Sequence, residues 1–120
     1  VTFTEQSGDP DFELAFKGSV NRWECDENDH LNVRFYSRMV WESLLNALAD
    51  WKVAEGWRVR IQHMRYLAEA RMATPVSGFV ARVGATTDTI DVLTELRHSF
   101  TGVVLAAFLS RIESVQHGLG

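Results

Sequence analysis

Trp23-Glu24-Cys25-Asp26-Glu27-Asn28-Asp29-His30-Leu31-Asn32-Val33-Arg34-Phe35-Tyr36 leads from an acidic turn into an apolar periodicity that runs on to Trp51. Val33, Tyr36, Val40, Leu44, Ala47/Leu48 and Trp51 recur at the spacing of one helical face. Arg34, Arg38, Glu42 and Asn46 fall on the other sides of the same cylinder. The spacing predicts an amphipathic helix over Val33–Trp51, about five turns long. Asp29 or Asn32 can cap its start by accepting a bond from an orphan amide of the first turn. Gly56 closes the segment.

Elsewhere the period is that of strands. Phe12, Leu14 and Phe16 alternate with Glu13, Ala15 and Lys17, a half-buried strand that continues past Gly18 through Val20 and Arg22. Trp57 to Leu67 is a second extended run, with Val59, Ile61, His63 and Arg65 alternating against Arg58, Arg60, Gln62, Met64 and Tyr66. Ala68–Thr74 interrupts it, and Pro75 suits the opening of the next strand better than its middle. Val76–Thr87 carries Phe79, Ala81, Val83 and Ala85 on one face. Thr87-Asp88-Thr89 reads as a turn, and Ile90–Phe100 and Gly102–Val115 as the last strands. Val103–Leu109 is apolar on both sides, which places it centrally, or between a helix and a partner chain. The order is therefore strand, long helix, then four strands joined by short turns. An antiparallel meander of this kind needs a cover for its buried face, and the helix supplies it.

Composition narrows the class. A chain of 120 residues, 46% hydrophobic and 23% charged, is one ordinary globular domain able to bury its own core. A net charge of -4 gives no electrostatic basis for nucleic acid or an anionic membrane surface. No apolar run approaches the roughly 18 residues of a membrane span. Val1–Pro10 lacks the basic start and apolar core of a signal peptide. Val1–Asp11, with its Gly8-Asp9-Pro10 turn signal, reads as a loose end. The lone Cys25 excludes an internal disulfide, and the expected location is cytoplasmic.

The opening stretch resembles the Asp-x-x-Gly-His-Val-Asn-x-x-x-Tyr signature of hot-dog-fold acyl-CoA thioesterases, of the 4-hydroxybenzoyl-CoA thioesterase-like group. Asp26, His30, Asn32 and Tyr36 stand at the matching positions. Tyr66-Leu67-Ala68-Glu69-Ala70-Arg71 resembles that family's ending of the second strand, and the order of elements matches from Phe12 to Val115. The chain departs from the pattern in two places. Asp29 replaces the turn glycine, and Ala73-Thr74 replaces a Gly-Asp after the second strand.

The resemblance implies an α+β hot-dog fold, a five-stranded antiparallel sheet wrapped around one long central helix. It implies a single domain over residues 12–120 that hydrolyses an acyl-CoA thioester, with no metal or other cofactor and with coenzyme A as part of the substrate. Asp26 matches the carboxylate that acts as nucleophile or general base. The Val33 backbone amide matches the group that polarises the carbonyl, where orphan amides and the helix dipole favour a developing anion. His30 and Asn32 orient the turn and a water. Arg71, Tyr36 and Glu69 are the substrate-binding candidates, Arg71 toward the phosphates of coenzyme A. A homodimer or homotetramer follows, with sheets joined edge to edge. Each site would then combine Asp26 and Val33 of one chain with the Arg71 segment of another. Trp41, Trp51 and Trp57, with the two apolar sides of Val103–Leu109, also offer more apolar surface than one helix covers.

Plainer readings exist for each residue. Asp26 can be a turn or capping carboxylate, His30 a turn histidine, Glu69 a surface charge, and Arg58, Arg60 and Arg65 a solvated strand face. Cys25 is a poor nucleophile, because Glu24, Asp26 and Glu27 disfavour a thiolate. The histidines show no paired metal-ligand spacing such as His-x-x-x-His. Two rival functions remain: a non-catalytic acyl-CoA-binding hot-dog domain, and a hot-dog dehydratase or hydratase.

Overall fold

Burial of one helical face against one sheet face sets the architecture. The computed structural model describes residues 11–21, 25, 36–51, 53 and 56–114. Asp26, His30, Asn32 and Val33 lie outside them, as does the expected first turn of the helix. The elements are β1 (Glu13–Ser19), α1 (Tyr36–Asp50), β2 (Trp57–Tyr66), β3 (Pro75–Ala85), β4 (Thr89–His98) and β5 (Val104–Ser114). Helix α1 buries Tyr36, Met39, Val40, Ser43, Leu44, Ala47 and Leu48, the face that the spacing predicts with Met39 and Ser43 added. Arg38 and Glu42 pair at 3.5 Å along its outer side, worth a few tenths of a kcal/mol. Among the described residues, no helix is long and apolar enough to cross a membrane.

The strands form one antiparallel sheet in the order β1-β3-β4-β5-β2. This corrects the expected meander. Only β3, β4 and β5 follow one another in space; β2 crosses to the far edge and pairs with β5. Strand β5 is therefore an inner strand, which accounts for apolar residues on both its faces. Ala106 and Phe108 join the core beneath the helix. Ala107 and Leu109, on the opposite face, are also buried within the single chain, so they leave no apolar face for a partner chain to cover. On that face Arg97 pairs with Glu95 at 2.7 Å, and Arg111 with Asp91 at 2.9 Å. The long stems of these arginines can shield the small apolar residues beside them.

Two local irregularities fix which side chains face the helix. A bulge between Leu14 and Phe16 interrupts the β1–β3 ladder. The Asn46 side-chain amide donates to the Ala15 carbonyl there at 2.6 Å, tying the helix to the carbonyl at the break. In β3 the core takes Val76 and Val80, whereas Phe79 and Ala81 fall on the opposite face. Gly78, on the same side as Val76 and Val80, is where helix and sheet come closest. A methyl group at Gly78 would collide with the Ser43 hydroxyl and lie 3.0 Å from Phe16 Cβ. Ser43 is fully buried, and its hydroxyl is already donated to the Met39 carbonyl at 2.7 Å. The Thr94 and Ser110 hydroxyls, buried in the two central strands, have no hydrogen-bond partner among the described residues.

Gly78→Ala should therefore lower stability by about 1–3 kcal/mol, the range for overpacking a close-packed contact. Adding Ser43→Ala removes the colliding oxygen and should restore most of the loss. Urea unfolding midpoints of the two variants and the parent check this. An unchanged midpoint for the single variant would mean that helix and sheet are not in close contact at Gly78.

Candidate functional site

Because β2 and β3 lie on opposite sides of the β4–β5 pair, the chain between them must cross one end of the sheet. It crosses at the start of α1. The Leu67 and Ala68 amides both donate to the Leu105 carbonyl, at 2.9 and 3.2 Å. Ala70 is buried in the core. The crossing ends in a tight turn. Thr74 N donates to Arg71 O at 3.0 Å, and Arg71 N donates to the Thr74 hydroxyl, also at 3.0 Å. Val20, just past the end of β1, holds this turn through two further backbone bonds, Ala73 N to Val20 O and Val20 N to Thr74 O.

Tyr36, the first described residue of the helix, locks the crossing in place. Its hydroxyl donates to the Ala68 carbonyl at 3.4 Å. Its ring lies 5.3 Å from that of Tyr66, which in turn meets Phe108 edge-on at 6.0 Å. Tyr36 is only 3% exposed. Burial, followed by the neighbouring Tyr66 and Glu69, pushes its phenol above the usual tyrosine range, so it stays a neutral hydrogen-bond donor. Tyr66 is about half exposed at the mouth of this aromatic cluster. Glu69 and Arg71 are exposed on the crossing, and among the described residues no carboxylate pairs with the Arg71 guanidinium. Cys25 is partly buried against the same core as Ala68, with its thiol donating to Asn21 O at 3.6 Å.

The structure thus gathers Tyr36, Glu69 and the Arg71 segment around the helix start. Asp26, His30, Asn32 and the Val33 amide lie outside the described residues. The Tyr36–Ala68 bond brings the crossing to its own chain's helix, a consequence of the strand order; the expected two-chain site turns on Asp26 and Val33 and so lies outside the described residues. Arg58 and Arg60 are bound at the far end of β2 by Glu113, at 3.1 and 3.8 Å, and take no part at this end. Tyr66 and Phe108 complete the aromatic cluster, and no sequence signal singled out Phe108. Tyr66 was legible as the first residue of the family-like segment, and Phe108 is separated from Tyr36 by most of the chain.

No protein-family model and no curated protein sequence matches this chain. Solved structures do. A protein from Pseudomonas putida with a provisional thioesterase designation is 21% identical, with 90% of this chain and 75% of that one aligned and a TM-score of 0.74. A 1,4-dihydroxy-2-naphthoyl-CoA thioesterase from Synechocystis is 11% identical, with 86% and 81% aligned and a TM-score of 0.71. The chain has the hot-dog fold. A hypothetical protein of Staphylococcus aureus, solved in complex with CoA, is 12% identical, with 93% and 77% aligned and a TM-score of 0.76.

The departure from the hot-dog thioesterase pattern at Ala73 has a visible consequence. Ala73 sits at φ 68°, the only non-glycine residue with positive φ among those described. It occupies the third position of the turn closed by Arg71 and Thr74, where a positive φ favours glycine. An alanine there carries about 1–2 kcal/mol of left-handed strain. Ala73→Gly should therefore raise stability by roughly 0.5–1 kcal/mol, after subtracting glycine's larger entropy loss on folding. Thermal and urea unfolding check this. A destabilised variant would show that the Ala73 methyl group makes a contact worth more than the strain.

Proposed function

We propose that this chain is an acyl-CoA thioesterase, which hydrolyses a thioester to a free acid and coenzyme A. The observation that carries the reading is a coincidence of two independent signals. The Asp26–Tyr36 signature leads into a helix, and that helix belongs to a hot-dog fold. Among the similar structures is a CoA-thioester hydrolase from Synechocystis, and the Staphylococcus aureus protein holds CoA.

Thioester hydrolysis needs a group to attack the carbonyl or activate water, and donors for the charge that develops on its oxygen. In this reading Asp26 does the first, as nucleophile or general base. The Val33 amide does the second, since the orphan N–H groups at a helix start are aimed outward with the positive end of the dipole. His30 and Asn32 hold the turn and orient the water. Tyr36 acts through position, holding the crossing at Ala68. Glu69 and Arg71, exposed on that crossing, face the substrate, and Arg71 meets coenzyme A phosphate with a charge-assisted bond.

A dimer or tetramer is part of the same proposal. β2 is an edge strand, and residues 63–67 at its end are all exposed, Met64, Tyr66 and Leu67 among them. An open edge with apolar side chains invites a second strand. Light scattering at micromolar concentration should give at least twice the 13.6 kDa of one chain, and a monomer mass would remove this part.

Thiol release from short, long, branched and aromatic acyl-CoAs tests the activity. Asp26→Asn keeps size and hydrogen bonding but removes charge and basicity, so turnover should fall on the order of 10²-fold or more in a folded protein. Undiminished turnover would return Asp26 to a turn carboxylate. Acyl-CoA binding without thiol release would leave a binding domain, and loss of enoyl absorbance would indicate a hydratase.

A further inference from the structure

Helix α1 ends about 20 Å from Tyr36, at 1.5 Å of rise per residue. At that end lies a cavity of about 350 Å³, within the range of small-molecule sites. Its floor is apolar. Ile90 and Ile112 face each other across the β4–β5 ladder, and with Val53 and Trp57 they belong to the main core or pack against it. Its mouth is the β3–β4 turn, held rigid by the Thr86 hydroxyl. That oxygen accepts from the Asp88 and Thr89 amides at 3.3 and 3.1 Å and lies 2.8 Å from the Thr89 hydroxyl.

Among the described residues, one cation lines this cavity, Arg82. Arg38, Arg58, Arg60, Arg97 and Arg111 each pair with a carboxylate. Arg82 pairs with none among the described residues. Its guanidinium instead lies 4.4 Å from the centroid of the Trp51 ring, a cation–π contact that uses none of its N–H donors on a carboxylate.

We propose that this cavity is a binding site for a small monocarboxylic acid with an aromatic or branched apolar body. The body fills the space over Ile90, Ile112 and Trp57. The carboxylate takes the two-pronged edge of Arg82, a geometry that a guanidinium matches and an ammonium does not. The site lies at the opposite end of the helix from Tyr36 and is independent of thioester hydrolysis; it would stand if that activity failed.

Calorimetric titration of the full chain with phenylacetate, 2-phenylethanol and 2-phenylethylamine tests the proposal, with tryptophan fluorescence as a second readout from Trp51 and Trp57. Phenylacetate should bind with one site per chain, and the alcohol and the amine at least tenfold more weakly. Arg82→Gln should weaken phenylacetate binding about tenfold or more, as expected for loss of hydrogen bonds to a charged group. Arg82→Lys should fall between. Ala85→Phe, which fills the cavity from an exposed lining position, should abolish binding. Arg82 and Ala85 are both exposed, so these variants keep the core, which circular dichroism confirms. The proposal is overturned if phenylacetate does not bind, if the alcohol binds as well, or if Arg82→Gln and Ala85→Phe leave binding unchanged. The last result would place the ligand elsewhere, the helix start included.

Discussion

Everything in this molecule hangs on how closely one helix can lie on one sheet. A single 15-residue helix, α1, carries the apolar face that covers the sheet, and its length alone would not make it stable in isolation. Its stability comes from burying Met39, Val40, Leu44 and Leu48 against strands. Gly78 sets the distance at which this happens. With no side chain there, Ser43 and Phe16 close over the strand and the helix sinks onto β3. At roughly 25 cal/mol per Å² of apolar surface removed from water, a small change in that approach is felt along the whole helix.

The strand order turns this packing into a site. In a simple meander, β2 would have turned back beside β3 and left the helix start open to solvent. Instead β2 lies beyond β5, so the chain crosses the end of the sheet and is caught by Tyr36 on the way. A crossing segment carries backbone polar groups that must find partners. Leu105, Val20 and Thr74 supply them. The turn that completes the crossing is closed with Ala73 in a left-handed conformation. Strain of this kind persists only where the surroundings over-determine it, and two bonds to Val20 do so here.

Two sets of charged residues differ in their surroundings. Glu95–Arg97 and Asp91–Arg111 lie on the sheet face away from the helix, paired across short distances. Phe12 and Phe79 also stack on Arg97, at 4.8 and 4.2 Å. Such pairs contribute modestly to stability, and part of their effect is the cover their stems give to Ala107 and Leu109. Arg71 and Arg82 have no such acidic partner among the described residues. Arg82 lies against Trp51 just past the end of the helix, and Arg71 lies on the crossing that Tyr36 holds at Ala68.

What the sequence alone determined is local. The spacing of Tyr36, Val40, Leu44 and Leu48 fixes a helical face, and alternation fixes the existence of each strand, because both periods follow from backbone geometry within a few residues. Pro75 at a strand start and Gly56 at the close of the helical segment, where φ proves positive, were legible from the same local rules. The glycine position taken by Ala73 was legible through resemblance. Pairing was not. Periodicity says that Trp57–Tyr66 is a strand, but not that its neighbour is β5, since that depends on which edges remain after the sheet forms. Nor could alternation register the break between Ile61 and His63, which shifts residues from one side to the other. The Tyr36–Tyr66–Phe108 cluster and the cavity beside Arg82 join residues far apart in the chain. Only the tertiary structure decided them, because a contact between distant residues is set by how whole elements pack and leaves no local trace in the chain.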